Sequence, residues 1–319
     1  MLYVDSETVR RLAPLPRLVS MLEVALLADY IVPLRQVVEL PNRADGGLFV
    51  SMPVFDKTGS GVVKLATVCP GNPKRGLPAV QALVIVFSDA GTPVAAIDGV
   101  TLTYLRTGAV SALAAQYLAR ESSTHLVIIG TGGLAPTLAA AHCSVRPITR
   151  VTVCGRRAER SQATANAIRA MVDHRIDITS ATDVDVAVRC ADIVSCATSS
   201  ATPVFRGNSL KAGTHVDLVG SFSVGKREAD DDAVKGAARI FVDNLEGAMA
   251  EAGDLIDPMR RGVLRREDIV GELADLVRGR VRGRTRDDEI TLFKSVGSAI
   301  QDLAVAQLIT ATVGAAPGR

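Results

Sequence analysis

The sequence predicts an α/β protein in which a doubly wound parallel sheet is joined to a second, α+β domain. Three observations predict it. From Leu126 onward, short apolar runs alternate with helical stretches, the pattern of parallel strands buried on both faces. The first of these runs ends in a glycine-rich turn that opens a helix. Before Leu126 the β-like runs instead follow one another closely, and the last two are joined by turn residues.

In chain order, residues 5–12 and 16–31 carry Leu, Val and Met at helical spacing. Residues 48–52, 62–68, 82–87 and 94–97 read as strands, the last two linked by Ser88-Asp89-Ala90-Gly91-Thr92. Antiparallel strands followed by a helix suit a half-open sheet for substrate binding or dimerisation. Residues 103–120 are Ala/Leu-rich with helical period and form a connecting helix. Beyond it, strands fall at 126–129, 150–153, 193–196, 214–219 and 239–242, with helices at 134–143 and 159–171. A final helix over 298–312 follows an irregular segment, 289–297.

Composition narrows the function classes. The 319 residues have room for two modest domains, or for one interrupted by the other. With 48% hydrophobic residues, 3% aromatics and no tryptophan, the cores are built from Ala, Val, Leu and Ile. Such cores suit packed α/β layers better than a carbohydrate- or base-stacking surface. A net charge of +2 gives no global pull toward nucleic acid or membrane. The Arg-rich run 278–286 lacks aromatics and meets Asp287-Asp288-Glu289 at once, so it reads as a self-neutralising loop. Five cysteines without CxxC spacing, and four scattered histidines, argue against a disulfide framework and against any metal site. The first residues carry Asp5 and Glu7 and lack the apolar core expected of a signal peptide, and the longest apolar stretch, 126–141, is interrupted by glycines and Pro136. A cytoplasmic protein is expected.

The glycine turn is Gly130-Thr131-Gly132-Gly133-Leu134-Ala135, a G-x-G-x-x-A directly after the strand Leu126-Val127-Ile128-Ile129. Gly130 permits the tight turn, Gly132 lets the backbone approach a pyrophosphate, and the small Ala135 lets the helix pack close to the sheet. Free N–H groups and the positive end of the helix dipole then face the phosphates. Pro136 falls in the first turn, where its missing N–H costs little. A glycine pattern alone is weak evidence. With a strand before it, a helix after it and a second strand about 20 residues on, it reads as a Rossmann-type dinucleotide site. The second strand runs into Cys154-Gly155-Arg156-Arg157. The acid that usually holds NAD's ribose hydroxyls is missing, and two guanidiniums suited to a 2′-phosphate stand there instead. NADP is favoured over NAD, although a solvated pair at a helix start would look the same.

With these residues in view, the chain resembles the ornithine cyclodeaminase/μ-crystallin family over nearly its whole length. The matching blocks include Val63-Lys64-Leu65 with Pro70-Gly71-Asn72, Leu102 to Ala109 (LTYLRTGA), and the turn at Gly130. Further on come Cys190 to Val194 with Ala197-Thr198, Lys211 to His215, Arg227-Glu228, Glu251 to Leu255, and Glu289 to Gly297. The resemblance implies a homodimer. It also implies an outer substrate-binding and dimerisation domain from residues 1–120 plus 298–319, with the dinucleotide-binding domain at 121–297. An amino or imino acid substrate is expected beside the nicotinamide.

Position by position, the resemblance makes Arg35, Lys64 and Arg106 the substrate-facing cations, with Lys64 and Arg106 catalytic. Chemistry agrees, because a small carboxylate held rigidly near a hydride donor needs a bidentate guanidinium and a further positive charge. Lys64 lies mid-strand, where an inward charge is costly unless it has a partner; if it faces outward it is merely an exposed lysine. The resemblance also points to Thr107, Thr198, Lys226 and Ser295-Val296-Gly297 as cofactor contacts, alongside Gly130, Thr131, Gly132, Gly133, Leu134, Arg156 and Arg157.

One departure is informative. Cyclodeaminases are similar to Gly220-Ser221-Phe222 but carry an aspartate where this chain has Phe222. A phenyl ring cannot accept a proton or orient a water, so ammonia loss lacks its general acid/base. Reducing a preformed cyclic imine needs only hydride, a carboxylate anchor and one proton, which Lys64 can supply if neighbouring cations lower its pKa. The expected activity is therefore NADPH-dependent reduction of a cyclic ketimino acid, 1-pyrroline-2-carboxylate or 1-piperideine-2-carboxylate, with Phe222 beside the substrate. Ornithine or lysine cyclodeaminase with bound NAD, an amino acid dehydrogenase, and a ligand-binding crystallin-type protein are the alternatives.

Overall fold

The computed structural model describes residues 1–41 and 46–314. The chain divides into two compact units, Met1–Arg106 with Ser298–Arg319, and Thr107–Gly297. No helix among the described residues is long and apolar enough to cross a membrane.

The first unit contains β1 (Leu2–Val4), α1 (Ser6–Leu12), α2 (Leu15–Leu27), β2 (Gln36–Glu39), β3 (Leu48–Phe55), β4 (Gly61–Val68), β5 (Val80–Phe87) and β6 (Pro93–Asp98). Asp5 starts α1 by accepting from Thr8 N at 2.8 Å. α2 stops at Leu27, short of the expected residue 31. Ala28 is already extended, and Ile31 pairs with Phe55 through two backbone hydrogen bonds of 2.8 and 3.0 Å. The six-stranded sheet has the order β1-β6-β5-β4-β3-β2, parallel at β1/β6 and antiparallel elsewhere. Gly91, at φ +73°, turns the expected β5–β6 hairpin. β1 and β2 escape sequence reasoning: β1 is only 3 residues long, and β2 is exposed throughout and so shows no alternation.

α3 (Gly99–Leu118) begins earlier than expected, because Asp98 caps it by accepting from Thr101 N at 2.8 Å. The division between units falls inside this helix rather than after residue 120. Ala115 and Ala119 explain why, since both lie in the same core as Leu126, Ile128 and Leu138.

The second unit continues with β7 (His125–Ile129), α4 (Ala135–Val145), β8 (Arg150–Cys154), α5 (Ala158–Arg169), β9 (Asp177–Ala181), α6 (Val184–Arg189), β10 (Ile193–Cys196) and β11 (His215–Leu218). After these come α7 (Asp231–Gly236), β12 (Arg239–Val242), α8 (Leu245–Glu251), α9 (Gly253–Arg260), β13 (Ile269–Glu272), α10 (Leu273–Val277) and β14 (Thr291–Lys294). The last helix, α11 (Ala299–Gly314), belongs to the first unit and packs there against α2 and β4. The second sheet has eight strands, all parallel, in the order β13-β12-β14-β11-β10-β7-β8-β9. Successive side chains serve opposite cores. Val127, Ile129, Val194 and Val216 face one core; Leu126, Ile128, Val151 and Ile193 face the other. The fold is the doubly wound one expected, with the order reversing between β7 and β10.

Sequence reasoning misses three strands here. β9 is a polar edge strand with one buried residue, Ile178. β13 is a 4-residue strand at the opposite edge. β14 was expected to be irregular, yet it is fully buried between β11 and β12. Its 4-residue run ends in Lys294, and the charge masks the strand.

Candidate active site

In doubly wound sheets ligands bind at the carboxyl ends of the strands where the order reverses. Here that edge is formed by the loops after β7, β8, β10 and β11. Gly130 has φ +126°, its N–H donates to Cys154 O at 2.9 Å, and an added Cβ would lie 2.5 Å from Ala197 O. Three strand ends converge on it, so the position excludes any side chain. Gly132 is the opposite case, since a Cβ there would meet nothing within 4 Å. Its backbone borders open space. α4 follows with no side chain capping its first turn, and with Ala135 and Ala139 fully buried. That leaves the positive helix end to a ligand.

The cleft along this edge encloses about 750 Å³, and its lining includes Gly130, Thr131, Gly132, Arg156, Arg160 and Thr198. Gly133 and Leu134 belong to the turn without lining it. Neither does Arg157, whose extended backbone starts α5 by accepting from Ser161 N at 3.1 Å. The second guanidinium at the cleft is instead Arg160, in the first turn of α5. Sequence reasoning also passed over Gly155, where a Cβ would sit 2.5 Å from the Thr131 methyl.

The remaining expected cofactor residues, and Phe222 expected beside the substrate, are more dispersed. Thr107 is buried in α3. Phe222 is 41% exposed, with the Lys226 ammonium 5.9 Å from its ring centre. Ser295, Val296 and Gly297 are gathered on Asp243, which accepts from Ser295 Oγ at 2.7 Å, Val296 N at 3.1 Å and Gly297 N at 2.7 Å. Asp243 thus shapes the segment by taking hydrogen bonds from it, a role without a local signal in the sequence.

The first unit brings two of the three expected cations together. Lys64 on β4 is only 4% exposed, so it faces inward. Its Nζ lies 3.0 Å from Oδ1 and 2.8 Å from Oδ2 of Asp302, a wholly buried residue of α11. Arg106 donates from Nε to the same Oδ1 at 3.2 Å and from Nη1 to Gln301 Oε1 at 2.7 Å. Two cations therefore share one carboxylate and keep a net positive charge. Burial lowers the Lys64 pKa to about 8; Asp302 opposes the shift, while Arg106 and the half-buried Arg35 add to it. Neighbouring cations had been expected to cause the shift, but desolvation contributes more. Asp302 and Gln301 were missed. The available signal was a single charge inside the otherwise uncharged helix Ala299–Gly314.

A parallel sheet with a glycine turn, an open cleft and an uncapped helix start at its reversal point defines a dinucleotide-binding protein. More particularly, the chain belongs to the ornithine cyclodeaminase/mu-crystallin family, which matches residues 17–315. It is 38% identical over 311 residues to a Delta(1)-pyrroline-2-carboxylate reductase of Colwellia psychrerythraea, covering 96% of this chain and 97% of that one. A solved structure of the Thermococcus litoralis Delta(1)-pyrroline-2-carboxylate reductase, in complex with NADH and L-proline, superposes with a TM-score of 0.93 at 33% identity, covering all of both chains. An archaeal alanine dehydrogenase dimer with bound NAD gives a TM-score of 0.90 at 30% identity, covering 100% of this chain and 98% of the other.

Proposed function

We propose that this chain is an NAD(P)H-dependent reductase of cyclic ketimino acids, turning 1-pyrroline-2-carboxylate or 1-piperideine-2-carboxylate into L-proline or L-pipecolate. The observation that carries the reading is the buried pair Lys64 and Arg106 on one shared carboxylate. Two inward cations with one counter-ion are an electrostatic trap for a second, incoming carboxylate.

The residues at the cleft fit a nicotinamide dinucleotide. The open side of Gly132 and the uncapped start of α4 take the pyrophosphate, and Arg156 with Arg160 suit a 2′-phosphate, which favours NADP. Thr107, Thr198, Lys226 and Ser295-Val296-Gly297 complete the cofactor set. When bound, the reduced nicotinamide supplies a hydride for the imine carbon. Arg106 and Arg35 hold the substrate carboxylate, and Lys64 gives its proton to the imine nitrogen. A lysine with a pKa of about 8 is mostly protonated at neutral pH yet close enough to release a proton readily. Phe222 offers no acid or base, which separates this chemistry from ammonia loss. The working species is a homodimer, consistent with exposed Ile31, Leu34, Val37 and Val38 on and just before the edge strand β2.

The deciding assay follows NADPH and NADH oxidation with each cyclic imine, alongside ornithine-dependent ammonia release and oxidation driven by pyruvate plus ammonia. Imine-dependent oxidation without ammonia release is expected, with a light-scattering mass of twice the chain. Release of ammonia from ornithine without net cofactor consumption would overturn the reading.

A further inference from the structure

Glu228 lies in the loop between β11 and α7, and its side chain has no contact with solvent. Each carboxylate oxygen receives a backbone N–H from a different strand end. Thr198 N, after β10, donates to Oε1 at 2.6 Å, and Gly220 N, after β11, donates to Oε2 at 2.7 Å. The two loops also touch directly. A Cβ on Gly220 would lie 2.1 Å from Thr198 O and 2.2 Å from Thr198 N. Thr198 lines the dinucleotide cleft, and Gly220 opens the segment that carries Phe222. The carboxylate is held from behind. Asp254 of α9 accepts the N–H groups of Glu228 and Ala229 at 2.7 and 3.0 Å, and Lys294 of β14 donates to Asp254 at 3.0 Å.

We propose that Glu228 is a positioning residue for cofactor binding, its carboxylate clasping the loops after β10 and β11 into the shape the nicotinamide dinucleotide requires. The inference rests on the reading of the cleft given above. An ionised carboxylate accepts only, and so matches two N–H donors. A protonated one carries an O–H that opposes one of them, and half the clasp is lost. The charges around the group make that change reachable. The buried Lys294 pairs with Asp254 and also attracts Glu228, the neighbouring Arg227 is engaged by Asp231, and a further buried acid, Asp217, lies on β11. Burial holds the nearby Cys196 thiol, on β10, well above its ordinary pKa, so it stays neutral. Burial likewise pushes Glu228 to about 7; Lys294 and the Thr198 N–H pull it down, while Asp254 pushes it up. Because the pKa is raised, the clasp is intact above about pH 7 and releases below it.

The test is fluorescence titration of the full-length chain with NADPH and with NADH between pH 5.5 and 8.5. NADH separates the enzyme's titration from that of the 2′-phosphate. For the wild type both affinities are expected to fall about tenfold as the pH drops through 7. Glu228→Gln, which keeps one acceptor and turns the other into a donor, is expected to raise both Kd values about tenfold at pH 8 and to flatten the pH profile. Asp254→Asn retains the Oδ1 acceptor but removes a like charge, so the inflection is expected to move to lower pH. Circular dichroism checks that each variant folds; if Glu228→Gln does not, the wild-type profile and the Asp254→Asn shift decide. Flat wild-type profiles, or equal affinities in a folded Glu228→Gln, would overturn the clasp alone. A wild type that binds neither nucleotide at any pH brings down the cofactor reading and the clasp with it.

Discussion

Lys64 and Asp302 stand 238 positions apart in the chain, yet each accounts for the other. A mid-strand lysine signals a task only if it faces inward, which the sequence alone leaves open and the structure decides; once inside, an unpaired ammonium is prohibitive. Its partner shows in the sequence only as the one charge of an otherwise uncharged helix, and nothing local says which strand that distant helix will cover. Lys64 as proton donor leads to a definite expectation. Lys64→Met is expected to lower kcat/KM with the cyclic imine by about 10²–10⁴, the usual contribution of a positioned acid, while Arg106 remains to neutralise Asp302. The wild-type kcat/KM is expected to fall as pH rises through about 8, where the donor loses its proton. Stability moves the other way. The folded-state pKa is depressed, so between about 8 and the ordinary lysine value of 10.5 the unfolded chain binds more protons and folding gains as pH rises. A Lys64→Met enzyme within threefold of wild type at pH 7 would remove the lysine from the reaction.

At the scale of elements, the unit most legible in the sequence is β7–turn–α4, because its strand is wholly apolar and its glycines are locally required. The motif asks Gly130 for a tight turn, and the residue has φ +126°; the clash of any side chain there with Ala197 is an added constraint, while Gly132 faces open space. The next unit, β8–α5, was legible only in part. The pair Arg156-Arg157 was visible, but adjacent residues at a helix start diverge, and the second cleft arginine is Arg160 instead. Where the strand ends and the helix begins decides which guanidinium reaches the cleft, and boundaries are the weakest part of pattern reading. This leads to a test of cofactor choice. Charge-assisted hydrogen bonds contribute about 1.5–3 kcal/mol each, so Arg156→Ser and Arg160→Ser are each expected to shift the NADPH-over-NADH ratio of kcat/KM toward NADH by at least tenfold. Arg157→Ser is expected to leave that ratio within twofold. A larger effect at 157 than at 160 would return the phosphate contact to Arg157.

At the scale of the molecule, the discontinuous first unit was expected from the family resemblance rather than from any linker, and its division inside α3 depends on which core Ala115 joins. Each unit has its own sheet, so a ligand stabilises chiefly the backbone it holds. A nucleotide at 100 times its Kd adds about 2.7 kcal/mol to the state that binds it. Hydrogen exchange can show where that energy goes. With saturating NADPH, amides of the turn at 130–133, the loop at 197–202 and the start of α5 are expected to slow by tenfold or more. Strands of the first sheet far from Lys64, such as β1 and β2, are expected to change by less than threefold. This pattern follows from the proposed site at the Gly132 opening and the uncapped α4, where bound phosphates would give backbone N–H groups an acceptor in place of water. Unchanged exchange at the turn, with protection confined to the six-stranded sheet, would place the nucleotide elsewhere and detach the glycine motif from cofactor binding.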